Sequence, residues 1–190
     1  MKKLLFALIA LVVLIAVGSV ILFQLIKPAE RLDLSYEKVD LEKKAVEMLK
    51  RVSTELVLSE ADVNNLAKES IAQNPMYSPD VRITGARFRL LTDDRLAADV
   101  NLKIRERIPV GLTIVYRLKW ASPNLIAEVQ GASLRGVKLP ADGFEDVVIP
   151  LGDELPKVVK IKDISSDASG LHVSFRAPSA SELRELIGGL

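Results

Sequence analysis

Across residues 81–134 apolar and polar side chains alternate with period two, and this rhythm constrains the fold more than any other feature. Leu96, Ala98, Val100, Leu102 and Ile104 alternate with Ala97, Asp99, Asn101, Lys103 and Arg105, which predicts one apolar face and one wet face. The pattern recurs where Leu112, Ile114, Tyr116, Leu118 and Trp120 alternate with Thr113, Val115, Arg117 and Lys119. Thr92-Asp93-Asp94-Arg95 and Ser122-Pro123-Asn124 have turn composition, so residues 81–91 and 125–134 complete a four-stranded antiparallel meander.

The flanks read differently. Residues 40–52 carry Leu41, Ala45, Met48, Leu49 and Val52 at helical spacing, with Asp40/Lys44 and Glu47/Arg51 as i,i+4 pairs. Glu42 and Glu47 dilute its basic residues, so an ordinary surface helix fits better than one lying on a bilayer. After a short extended stretch at 54–58, Ser59-Glu60-Ala61-Asp62 approximates a capping box and opens a second helix, with Val63, Leu66, Ala67, Ser70 and Ile71 on its buried side. Residues 144–149 suit a short helix. Residues 158–164 and 171–175 suit a last hairpin, and Ser181 suits the cap of a closing helix. The expected fold class is α+β: an N-terminal transmembrane helix, then two helices packed on one face of a curved antiparallel sheet of about six or seven strands.

Residues 4–26 form a run of 23 without a charge. As a helix it is about 34 Å long, enough to cross a hydrocarbon core of about 30 Å. Ala16-Val17-Gly18 resembles a signal cleavage site, but the apolar run continues past it through Phe23 and Ile26, so an anchor is the better reading. The expected organisation is a cytoplasmic tail (1–3), an anchor (4–26), a tether (27–36) and an extracytoplasmic domain (37–190). The protein would sit in a bacterial cell membrane as a single-pass chain with its N-terminus inside.

With 26 basic and 25 acidic residues the charges nearly cancel, which argues against a nucleic-acid partner. The chain has no cysteine, which excludes disulfides, thiolate metal sites and cysteine nucleophiles. His172 is the only histidine and reads as a solvated residue on the polar side of a strand. Asp93-Asp94 and Asp153-Glu154 read as turn and loop carboxylates, and Glu182 and Glu185 as solvent-facing. Asn64-Asn65, unusual inside a helix, reads first as surface polar residues on its opening turns, with a side chain bound to backbone or to a partner as the alternative. Neither a P-loop, a dinucleotide fingerprint nor a nucleophile elbow occurs, so no catalytic residue, metal ligand or cofactor is expected.

Asp62, Val63, Asn64 and Leu66 form an acidic–aliphatic–Asn–x–Leu signature, Gly136, Leu139 and Pro140 a Gly-x-x-Leu-Pro element, and Leu155, Pro156 and Val159 a Leu-Pro-x-x-Val element. In this order, after an apolar N-terminus, they resemble the YpmS family of membrane-anchored proteins of Gram-positive bacteria. The short tether and the charged stretch 105–109 depart from that pattern. The family implies no activity. More remotely the architecture is similar to tubular lipid-binding domains, where a curved sheet wraps a helix around an acyl-chain cavity.

Two functions follow as expectations. One is lipid binding, in a cavity lined by Leu66, Ile71, Leu96, Val100, Leu102, Leu112, Ile114, Tyr116, Leu118, Leu171, Val173 and Phe175. The same residues would equally fill a dry core. The other is a non-enzymatic cell-envelope scaffold that contacts an envelope protein through an exposed apolar patch, with Tyr77 and Trp120 as first candidates. A carboxylate enzyme lacks a recognisable acid pair.

Overall fold

The computed structural model describes residues 14–15, 17–19, 23–41, 43–44, 48, 53–151, 160–167 and 169–176. Its long sheet holds seven strands: β2 (Met76–Ser78), β3 (Val81–Leu91), β4 (Arg95–Ile104), β5 (Ile108–Ala121), β6 (Asn124–Leu134) and β7 (Val137–Leu139) in that order, with β8 (Val147–Ile149) also pairing β6. A separate three-stranded sheet is ordered β1 (Glu55–Leu58), β10 (Gly170–Phe175), β9 (Ile161–Asp167). Every pairing is antiparallel.

This corrects the expected α+β class. The described residues are mostly β-sheet, and the strands form two sheets instead of one, with a single complete α-helix among them, α1 (Glu60–Gln73). The last hairpin leaves the meander because Leu56 and Leu58 of β1 pair with Val173 and Leu171 of β10, joining strands more than a hundred residues apart. Residues 144–149, expected as a helix, supply strand β8, where the β-branched Val147, Val148 and Ile149 suit an extended edge. Of the expected helix at 40–52 only residues 40–41, 43–44 and 48 are described; the expected helix from Ser181, Asp153-Glu154 and the Leu155-Pro156-Val159 element lie outside the described residues.

The transmembrane reading is corrected as well. Among the described residues no helix is long and apolar enough to cross a membrane, which overturns the single-pass placement with its inside N-terminus and extracytoplasmic domain. Much of the run at 4–26 lies outside the described residues; residues 14–15, 17–19 and 23–26 are helical.

Helix α1 starts where its capping box predicts. The Asp62 backbone N–H donates to Ser59 Oγ (3.2 Å) and the Ser59 N–H donates back to Asp62 Oδ2 (2.8 Å). Val63 and Leu66 then pack on a buried cluster of Leu58, Leu118, Leu125, Ala127, Ile164, Leu171 and Val173, which joins the two sheets at one end of the meander. Asp94 ties the same junction. Its carboxylate accepts the Ser166 N–H (2.6 Å) and its carbonyl accepts the Leu118 N–H (2.7 Å).

Beyond the short β2, which pairs with the start of β3, the outer edge of β3 is closed without a further strand. The Ala86 N–H donates to the carbonyl of Asp33 (3.1 Å), Phe88 N–H to Asn64 Oδ1 (2.9 Å) and Leu90 N–H to Glu60 Oε2 (2.9 Å). An unpaired strand edge invites association, so this protection matters to a sheet of such length.

Candidate functional site

Register divides the long sheet into two unlike faces. Ala86, Phe88 and Leu90 of β3 share one face with Leu96, Ala98, Val100 and Leu102 of β4 and with Leu112, Ile114 and Tyr116 of β5. That face carries no charged side chain. The opposite face takes Arg82, Arg87 and Arg89 from β3, and Arg95 and Lys103 from β4. β5 adds Arg117 and Lys119, β7 adds Lys138, and among the described strand residues Asp99 and Glu128 are the carboxylates on this face. A chain of net charge +1 therefore presents a strongly basic sheet face.

On the uncharged face the expected lining residues separate into two groups. Leu118, Leu171 and Val173 belong to the buried cluster, and Leu66, Leu96, Tyr116 and Phe175 pack against it, so this end is a filled core. Val100, Leu102 and Leu112 lie further along the same face, outside that cluster and only half-buried, with Ile114 buried beside them. Ile71 sits half-buried in the last turn of α1. Of the two aromatic residues expected at a contact patch, Trp120 packs on the core and Tyr77 is 62% exposed.

The segment read as a tether lies across the basic face. Arg135 Nε donates to the Lys27 carbonyl (3.2 Å), Pro28 lies over Gly111, Asn101 Nδ2 donates to the Glu30 carbonyl (2.9 Å), and Leu32 lies over Gly85. Gly85, Asn101 and Gly111 form one row across three strands, and this row of small side chains and one amide donor makes a slot for an extended backbone. The strap was invisible to pattern reading, because 27–36 mixes Pro28, Glu30, Arg31 and Asp33 without a period; only the two glycines inside strands hinted at a close backbone approach.

Between the strap and the sheet is a partly open cavity of about 300 Å³ with mixed polar and apolar walls. Arg87, Arg89, Arg135, Asp99, Glu30 and Thr113 contribute to its walls. Arg87 reaches Glu30 through Nη1 (2.9 Å) and Asp99 through Nη2 (3.3 Å), while Arg89 Nη2 meets Asp99 at 3.0 Å. Thr113 Oγ1 donates to the other Asp99 oxygen (2.7 Å). Burial works against the Asp99 carboxylate, but the Thr113 hydroxyl and the Arg89 and Arg87 guanidinium groups more than offset it and hold its pKa below the ordinary value. The bond to Glu30, with Asp99 behind it, raises that of Arg87.

His172 is more firmly held than a solvated strand histidine. Nδ1 lies 3.0 Å from Glu55 Oε1, and Nε2 lies 2.9 Å from Ser169 Oγ and 3.1 Å from Asp167 Oδ1. Superficially this is an acid–His–Ser alignment. The Ser169 hydroxyl, however, also lies 2.6 Å from Asp167 Oδ1, and both ring nitrogens face carboxylates. Burial opposes the charge, yet Asp167 and Glu55 raise the pKa of His172, and with a carboxylate on each ring nitrogen the histidine is a clasp between them and not a base for Ser169. Asp167, bonded by the Ser169 hydroxyl and N–H and by His172, is lowered to about 2.

The remaining polar positions resolve simply. Asp93 and Asp94 take left-handed backbone at φ 60° and 54°, as the two central residues of the β3–β4 turn. Asn64 binds the backbone of Phe88, while Asn65 lines a second polar hollow of about 300 Å³ with Lys43, Lys44 and Asp62. Among the described residues no three His, Cys, Asp or Glu side chains are placed to hold a metal ion.

Compared with family models, with curated proteins and with solved structures, the chain matches none of them.

Proposed function

We propose that the chain is a non-catalytic binding domain that takes an apolar ligand of fatty-acyl type along the uncharged face of its long sheet. The observation that carries this reading is the half-burial of Val100, Leu102 and Leu112, aligned in register beyond the end of the filled core. Large aliphatic side chains side by side on adjacent strands give a surface to which an acyl chain adds contact area at about 25 cal/mol per Å² covered.

Native mass spectrometry of the full chain, purified from cells without organic extraction, tests it. Non-covalent adducts of fatty-acid or lipid mass are expected, and they should be lost in Leu102→Glu. Val100→Trp, which fills the space without charging it, should lose them as well. A bare mass for the parent chain, unchanged after incubation with fatty acid, overturns the proposal.

A second reading, a protein-interaction module, is favoured by β8. Val147, Val148 and Ile149 are 44%, 57% and 38% exposed, and among the described residues β8 pairs only with β6. Its free edge suits addition of a partner strand.

A further inference from the structure

The cavity beneath the strap holds three guanidinium groups against two carboxylates, Asp99 and Glu30. That surplus cation lies within a face that is itself basic, so anions are drawn toward it. Several of its donors have no acceptor among the described residues. Arg87 Nε is buried and has no hydrogen-bond partner among the described residues. Arg89 engages Asp99 through Nη2 alone, and Arg135 engages the Lys27 carbonyl through Nε alone. Their other nitrogens have no partner among the described residues. Guanidinium groups recognise tetrahedral oxyanions through paired N–H donors, and Arg89 and Arg135 keep such donors uncommitted.

We infer that this cavity is a binding site for a phosphate group, with Arg89 and Arg135 as its direct ligands and Asp99 as the residue that positions Arg87 and Arg89. The volume of about 300 Å³ admits a phosphate monoester together with the first atoms of whatever it is attached to. Aromatic side chains would be needed to stack a nucleobase, and Phe88, Tyr116 and Trp120 all lie on the other face, so recognition is of the phosphate itself. The free anion and the headgroup of a phosphate-bearing lipid share this chemistry. The inference does not rest on the acyl-chain reading: Arg89 and Arg135 take no part in that one, although Val100 and Leu112 also border the cavity.

Isothermal titration calorimetry of the full chain with inorganic phosphate, and separately with a short-chain phosphatidic acid below its micelle concentration, distinguishes the sources. Saturable one-site binding of either supports the site. Tighter binding of the lipid by tenfold or more assigns the headgroup, and equal affinity assigns the free anion. Arg89→Gln and Arg135→Gln should each weaken binding at least tenfold. Lys119→Gln, on the same face outside the cavity, should leave it unchanged. Circular dichroism checks that each variant is folded, and phosphate should raise the melting temperature of the parent chain but not of Arg89→Gln. Absence of binding by both probes overturns the inference. Equal loss in Lys119→Gln and Arg89→Gln also overturns it, because the effect is then the diffuse field of the face.

Discussion

Gly85 and Leu32 approach so closely that a Cβ on Gly85 would fall 2.1 Å from the Leu32 carbonyl oxygen. No side chain fits there while the strap stays in place. Two strands away, on β5, a Cβ on Gly111 would fall 2.6 Å from Pro28 Cα, so the slot excludes side chains at both outer crossings, on either side of Asn101.

Gly85→Ala should therefore displace the strap. Stability is expected to fall by about 1–3 kcal/mol, the usual cost of overpacking a fitted site. Trypsin should cleave after Arg31 faster than in the parent chain. Gly131→Ala is the control: it lies on the same face with nothing within 4 Å of its would-be Cβ, and its cleavage rate should not change.

The Asn64 amide closes the β3 edge at Phe88 (2.9 Å). Replacing it with Ala strands a part-buried N–H, and urea unfolding should show a loss of about 1–2 kcal/mol. Asn64→Asp keeps an acceptor oxygen at the same reach and should lose less. Equal losses in the two variants would mean that helix propensity, and not the edge bond, sets the effect.

Asp93 and Asp94 share a turn and a left-handed backbone, but only Asp94 also accepts the Ser166 N–H from the other sheet. Alanine at either position incurs the same kind of backbone strain. Asp94→Ala should thus be worse than Asp93→Ala by about 1–3 kcal/mol, the cost of an unsatisfied N–H at the sheet junction. Chemical denaturation of the two variants side by side measures that difference.

The His172 clasp predicts a pH window. Because the folded-state pKa of His172 is raised above its ordinary 6.5, its stabilising contribution is fully present below pH 6.5 and is lost as pH rises through the raised value. Asp167 is lowered from 3.8 to about 2, so its contribution is present above pH 3.8 and is lost as pH falls toward 2. The clasp should be strongest between these limits. Proton NMR of the single histidine should titrate with a midpoint above 6.5, and His172→Gln should remove the decline in urea midpoint on the neutral side.

The meander was legible because period-two alternation states both the strand and the face of each residue. The Asp93-Asp94 turn and the Ser59 cap were legible because their chemistry is local. What the sequence did not disclose is non-local. Nothing near Glu55 signals that its partner is Ser174, and nothing in the strap signals that it crosses Gly85, Asn101 and Gly111. The candidate site was obscured for a different reason. Total charge sums to +1 and so conceals that register sorts the basic residues of four strands onto one face. The apolar positions were correctly seen to share a side, but pattern alone did not divide Leu118 in the core from Leu102 beyond it.

The strap also sets an order of events during synthesis. A ribosome completes residues 27–36 well before it has made β3, β4 and β5, and Arg135, which grips the Lys27 carbonyl, is 108 positions later. The first-made part of the slot's contents has no place to dock until three strands and the start of the β7 turn exist. Chain elongation at about 5–20 residues per second leaves that segment exposed for several seconds on each nascent chain. A chaperone or processing enzyme that recognises residues 27–36 therefore has a brief opportunity on the ribosome that the finished protein withdraws.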